Sequence, residues 1–203
     1  MSRGAVAWAI IFLGVLLWSA IDPTDVTVWW LESSPAIAGA AVLAFTRKRF
    51  PLTTLTYVLV LVHCIILIVG GHYTYAEVPL GDWVRDAFDQ SRNNYDKLGH
   101  FLQGFVPALI ARELLLRLTP LARGGWLSFL VVCVCLAISA FYELIEWWVA
   151  LLSATAADSF LGTQGYVWDT QSDMAFALLG AVVALATLSR RHDRELAGLA
   201  AGL

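Results

Sequence analysis

Charge is scarce in this chain. Only 14% of its 203 residues are Asp, Glu, Lys or Arg, while 59% are hydrophobic; a soluble globular domain carries about 25% charged residues. The apolar residues come in long blocks in both halves, and mean hydropathy is +0.71. A soluble fold is thereby excluded in favour of one membrane domain over residues 1–203. The net charge of −3 leaves no basic face for nucleic acid. Cysteine is scarce too: Cys64, Cys133 and Cys135 all lie in apolar runs. They offer neither a disulfide framework nor a zinc site and suit small apolar filler. No Walker loop, G-x-S-x-G elbow or dinucleotide fingerprint occurs. The run "AVAWAIIFLGVLLWSA" after Arg3 has no small-x-small cleavage site, so it reads as an uncleaved first span.

What is present is an all-α pattern of six apolar spans, at about 5–21, 28–46, 52–70, 97–118, 126–152 and 170–189, each near the ~20 residues a bilayer needs. Glu32, Ser33, Ser34 and Pro35 interrupt the second, and Trp29 and Trp30 suit the membrane interface. With six spans, Arg3, Arg47, Lys48, Arg49, Arg117, Arg123, Arg190, Arg191 and Arg194 fall on one side. The positive-inside rule makes that side cytoplasmic and places both termini there. The opposite loops carry Asp22, Asp25, Asp82, Asp86, Asp89 and Asp158, with Arg85, Arg92 and Lys97 as bases.

Three polar segments, "YDKLGH", "FYELIEWW" and "WDTQSDM", then share the outer level. Asp96, His100, Gln103 and Pro107 follow a 4-3-4 rhythm on one helical face, Ser139, Glu143 and Glu146 share another, and Asp169 and Asp173 form an i, i+4 pair. Carboxylates at that depth must face the bundle interior or a wet cavity. His100, Glu143, Glu146 and Asp173 are the candidate ligands or acid–base groups, because neighbouring carboxylates resist being ionised together and so set an acid beside a base. Asp96, Lys97, Gln103, Asp169 and Gln171 are candidates to hold a polar substrate. His100, Glu146, Asp169 and Asp173 could bind a divalent metal such as Zn, Mn or Fe, although no His-x-x-x-His or Glu-x-x-His motif completes a set. The alternative is that Lys97 and His100 pair with these acids and only lock helices together.

Lesser features carry expectations of their own. His63 and His72 suit hydrogen-bond partners, with His72 the better ligand of the two. "GDWVRDAFDQ" reads as an interfacial helix with Trp83, Val84, Ala87 and Phe88 on one stripe. "DSFLGTQGYVWD" reads as a turn or lid. Glu113 and Arg117 are an i, i+4 pair with no chemistry assigned, and Arg112 is placed to snorkel.

The segments "YDKLGHFLQGFVPALIARE", "SAFYELIEWW", "ADSFLGTQGYVWDTQSDMAFALLGA" and "GGHYTYAEVPLGDW" resemble the signature blocks of the YjdF-like inner-membrane family of bacteria across nearly the whole chain. The resemblance implies the fold but no reaction. The order Asp96, Lys97, His100, then Glu146, Asp169, Asp173 and Gly180 is also similar to VanZ-like membrane proteins, associated with resistance to teicoplanin, which implies a cell-envelope role. Three functions stay open on these residues: an enzyme acting on a lipid or envelope-precursor head group, a proton-coupled transporter, or a structural or lipid-binding membrane protein. The sequence shows no inverted repeat or pair of broken helices, which weighs against transport.

Overall fold

The computed structural model describes residues 3–152 and 163–201, and these are helical throughout apart from turns. The chain runs α1 (Arg3–Ser19), α2 (Val26–Thr46), α3 (Thr54–Tyr73), a 3₁₀ turn (Tyr75–Glu77), α4 (Pro79–Ala87), α5 (Tyr95–Leu118), α6 (Gly125–Leu152) and α7 (Asp169–Ala201). Local chemistry sets the starts. Asp25 caps α2, its Oδ1 accepting from the backbone N–H of Thr27 at 2.7 Å and of Val28 at 3.0 Å. Thr53 caps α3 by accepting from Thr56 N, and Pro79 occupies the first turn of α4, where its missing N–H costs nothing.

Four helices, α2, α3, α6 and α7, are long and apolar enough to cross a membrane. The other two expected spans differ in kind. α1 has 17 residues, and α5 carries Asp96, Lys97, Arg112, Glu113 and Arg117. The structure adds detail to three further readings. The second span is continuous, with Pro35 inside the helix and Glu32 and Ser33 buried. Trp29 is buried, its indole N–H donating to Ser19 Oγ at 3.0 Å, whereas Trp30 is exposed. The last helix runs on past 189 to Ala201. Residues 158–162 of the expected lid lie outside the described residues.

α5 is the axis of the bundle, packed against α3, α6 and above all α7. That position explains its composition: its charges face other helices, where they can be paired, instead of lipid. Gly104 of α5 and Gly180 of α7 let the two backbones meet. A Cβ on Gly104 would run into the Ala177 carbonyl, and one on Gly180 into the Phe101 carbonyl. Ala108, Ala111, Val131, Cys135, Ala181 and Ala184 form an apolar core among α5, α6 and α7, and Phe12, Ala36, Val60, Cys64, Ile68 and Val106 form a second around α3. α4 turns Leu80 and Trp83 outward, with Phe88 beside them, as an interfacial helix would.

Below this apolar layer lies a second polar network, missed in the sequence. Glu113 is fully buried; its Oε2 accepts from Thr53, Thr56 and His192 Nε2 (3.2 Å), and Oε1 accepts from Arg117 at 2.6 Å. Arg112 does not snorkel. It is buried, with Nη1 3.1 Å from His192 Nδ1 and Nη2 2.7 Å from Asp193. The longer α7 supplies these partners. His72 is likewise a satisfied partner, its Nδ1 3.0 Å from the Ser19 carbonyl.

Gly104→Ala should lower stability by roughly 1–3 kcal/mol, the usual cost of overpacking, read as a lower Tm in detergent. Gly39→Ala, where an added Cβ meets nothing within 4 Å, should leave Tm unchanged or slightly raised, since Ala is the better helix former.

Candidate functional site

The expected polar residues meet at the end of the bundle where α5 and α7 begin and α6 ends. α5 contributes Asp96, Lys97, His100 and Gln103, spaced three and four apart on its inward face. α6 contributes Glu143 and Glu146, and α7 contributes Asp169 and Asp173, all buried. Lys97 Nζ lies 2.6 Å from Asp173 Oδ1, 2.7 Å from Asp169 Oδ1 and 3.1 Å from Asp96 Oδ2. An ammonium has three donors, so this one is saturated by protein carboxylates. Arg92, which the sequence offered only as a loop base, closes over the same group: Nη2 is 2.8 Å from Asp169, and Nη1 donates to the Thr163 carbonyl at 2.8 Å.

His100 joins this ion cluster to a second set of acids. Its Nε2 is 3.2 Å from Asp96 Oδ1 and 3.7 Å from Asp173 Oδ1, while Nδ1 is 3.1 Å from Gln103 Oε1 and 3.9 Å from Glu143 Oε1. Two groups of ligand atoms lie within 4.8 Å of one another, Asp96–His100–Asp173 and His100–Glu143–Glu146. At an effective dielectric of ~20, two ionised carboxylates at that spacing repel by about 3.5 kcal/mol. Glu143 Oε1 and the fully buried Ser139 Oγ, one turn away on α6, have no hydrogen-bond partner among the described residues.

Two of the expected residues lie outside these two ligand groups. Asp169 belongs to the Lys97–Arg92 ion cluster and to neither of these groups. Gln171 is exposed, because α7 turns it away from the face that carries Asp169 and Asp173. Other residues were not foreseen. Glu32 is buried on α2, and Tyr142 donates to its Oε2 at 3.2 Å. Both line a cavity of about 170 Å³ with His63, Asp96, His100, Gln103 and Glu146, large enough for several waters. His63 Nε2 is buried there with no hydrogen-bond partner among the described residues. The acid within "WWLESSP" was the available signal, since an intramembrane carboxylate calls for a partner.

Across the whole cluster the carboxylates Glu32, Asp96, Glu143, Glu146, Asp169 and Asp173 outnumber the bases Arg92, Lys97 and His100. The Lys97 side is compensated; the Glu143–Glu146 side is short of positive charge. Lys97→Met should therefore cost about 3–5 kcal/mol, because it strands buried carboxylates. Glu143→Gln, which keeps the shape and removes a charge whose Oε1 has no partner, should hold Tm close to that of the parent. Thermal unfolding in detergent compares the two.

The chain matches the family described as predicted membrane protein (DUF2238) over residues 4–194. It is 53% identical over 182 residues to the inner membrane protein YjdF of Escherichia coli (strain K12), covering 90% of this chain and 87% of that protein. No solved structure matches. The helical bundle, its apolar spans and this similarity over nearly its full length agree: the chain belongs to the DUF2238 family, YjdF-like multi-pass proteins of the bacterial inner membrane.

Proposed function

We propose that the protein crosses the inner membrane six times with both termini in the cytoplasm, and that its His/Asp/Glu site opens outward. There it binds the polar head group of a lipid or cell-envelope precursor and acts on it through His100, Glu143, Glu146 and Asp173. One observation carries the reading. A groove of about 580 Å³ beside the ion cluster is lined both by polar residues, among them Arg92, Asn94 and Lys97, and by Leu98, Phe101 and Phe176. Basic, polar and apolar side chains in one groove suit an amphiphile whose head meets Arg92 and Lys97, the bases that join the groove to the carboxylates, and whose chain packs on the apolar residues. The likeness to VanZ-like proteins rests on short motifs alone and adds only an envelope setting.

Transport is the weaker reading. Between Gln103 and Arg112 the buried residues of α5 are Gly104, Val106, Ala108, Leu109 and Ala111, a stretch of about 13 Å at ~1.5 Å per residue. The facing positions on α6 and α7 are apolar as well. The saturated Lys97 favours a scaffolding role for its partners Asp96 and Asp169, with Asp173 shared between Lys97 and the His100 side of the cluster.

Single cysteines at the exposed positions 48 and 190, in a cysteine-free background, should resist a membrane-impermeant thiol reagent added outside cells; labelling at either would reverse the topology. For the head-group reading, purified protein is incubated with phosphatidylethanolamine or phosphatidylglycerol, and bound lipid is counted by mass spectrometry of the intact complex. Phe176→Ser should weaken retention about tenfold, roughly 1.4 kcal/mol. Equal retention by the variant and its parent would discard the groove.

A further inference from the structure

We propose that His100, Glu143 and Glu146 bind a divalent transition metal, Zn²⁺ or Mn²⁺. The inference rests on the head-group reading only for its purpose, which is to give an anionic head group a landing point in a cluster that otherwise repels it. Two groups of ligand atoms compete for the role, and charge decides between them. In Asp96–His100–Asp173 the Lys97 ammonium already occupies the cation position, 2.6 Å from Asp173 and 3.1 Å from Asp96. A second cation there would face it directly. In His100–Glu143–Glu146 no basic side chain other than His100 comes within ion-pair distance among the described residues.

The histidine is oriented for ligation. Nε2 lies 3.2 Å from Asp96 Oδ1, and in the tautomer that keeps its proton there the Nδ1 lone pair is left to take a metal on the side of Gln103 and Glu143. A carboxylate that fixes a histidine tautomer from behind is the usual support of a metal-bound imidazole. Nδ1 then faces two oxygens, Gln103 Oε1 at 3.1 Å and Glu143 Oε1 at 3.9 Å. Around a metal with bonds of 2.0–2.2 Å, neighbouring ligand atoms sit about 3–3.5 Å apart, so these acceptors are already near the spacing a shared ion would give them. Independently, Glu143 Oε1 is buried with no hydrogen-bond partner among the described residues, and so is Ser139 Oγ one turn along the same face. One nitrogen with two or three oxygens suits Zn²⁺ or Mn²⁺ and offers no thiolate for softer metals.

The test strips the intact, detergent-purified protein with a chelator and titrates ZnCl₂ or MnCl₂. Bound metal is measured by elemental analysis after desalting, and affinity by competition with an indicator. The parent should retain metal in equimolar amount. Glu143→Gln and Glu146→Gln should lose it, and Asp96→Asn should weaken it by roughly 10–100-fold, as loss of a supporting carboxylate does. Asp86→Asn, an exposed acid on α4, should leave it unchanged. X-ray absorption at the zinc edge of the parent needs no variant to fold, and should show imidazole scattering with a nitrogen–oxygen shell and no sulfur. No retained metal, a sulfur shell, or loss in Asp173→Asn with retention in Glu146→Gln would each overturn the assignment. Lipid retention is read separately: metal without lipid removes the head-group reading, and lipid without metal removes this one.

Discussion

A helix with five Asp, Glu, Lys or Arg residues and a histidine cannot face hydrocarbon, and α5 is such a helix. Its charges have to be met by groups on neighbouring helices, and that need organises the bundle. At one end Asp96 and Lys97 require the acids of α7 and the cap of Arg92. At the other, Arg112, Glu113 and Arg117 require Thr53 and Thr56 from the start of α3 and His192 and Asp193 from the extension of α7. With both ends pinned, α5 is held among α3, α6 and α7, and the lipid-facing surface falls to helices with little charge to hide. Exposed Trp126, Phe129, Trp147 and Leu151 on α6 are of this kind.

The two polar ends differ in how fully they are compensated. Both oxygens of Glu113 have donors, and the arginines around it have acids or carbonyls. Such closure is what a structural network requires, since half-satisfied buried networks are costly. Around His100 the balance fails on one side, with buried acids in excess and orphaned oxygens. A protein tolerates such a deficit where something else supplies the missing charge, and the proposed chemistry belongs to that side.

Much of this was legible in the sequence, because the periodicity of a helix puts Asp96, His100 and Gln103 on one face and Glu143 and Glu146 on another without any knowledge of the fold. What a period cannot give is the partner across the gap. Glu32 looked like an interruption because its neighbour Tyr142 lies 110 residues away. Arg92 looked like a loop base because Asp169 comes from another helix. Gln171 was grouped with Asp169 and Asp173 by proximity along the chain, yet a helix turns by 100° per residue and carries it outward. The basic residues Arg190, Arg191 and Arg194 mark the end of the expected span but say nothing of where the helix stops. The helix instead continues and folds His192 inward.

The glycine contact between α5 and α7 has a mechanical consequence. Backbones that touch through Gly104 and Gly180 leave no compressible layer of side chains between them, so the two helices move as a single rigid body. Lys97, Asp96, Asp169 and Asp173 therefore keep their mutual geometry. α6 meets both helices less extensively. Glu143 and Glu146 ride on it. The gap around His100 is thus bounded on one side by this tightly joined pair and on the other by the glutamates of a more loosely packed helix.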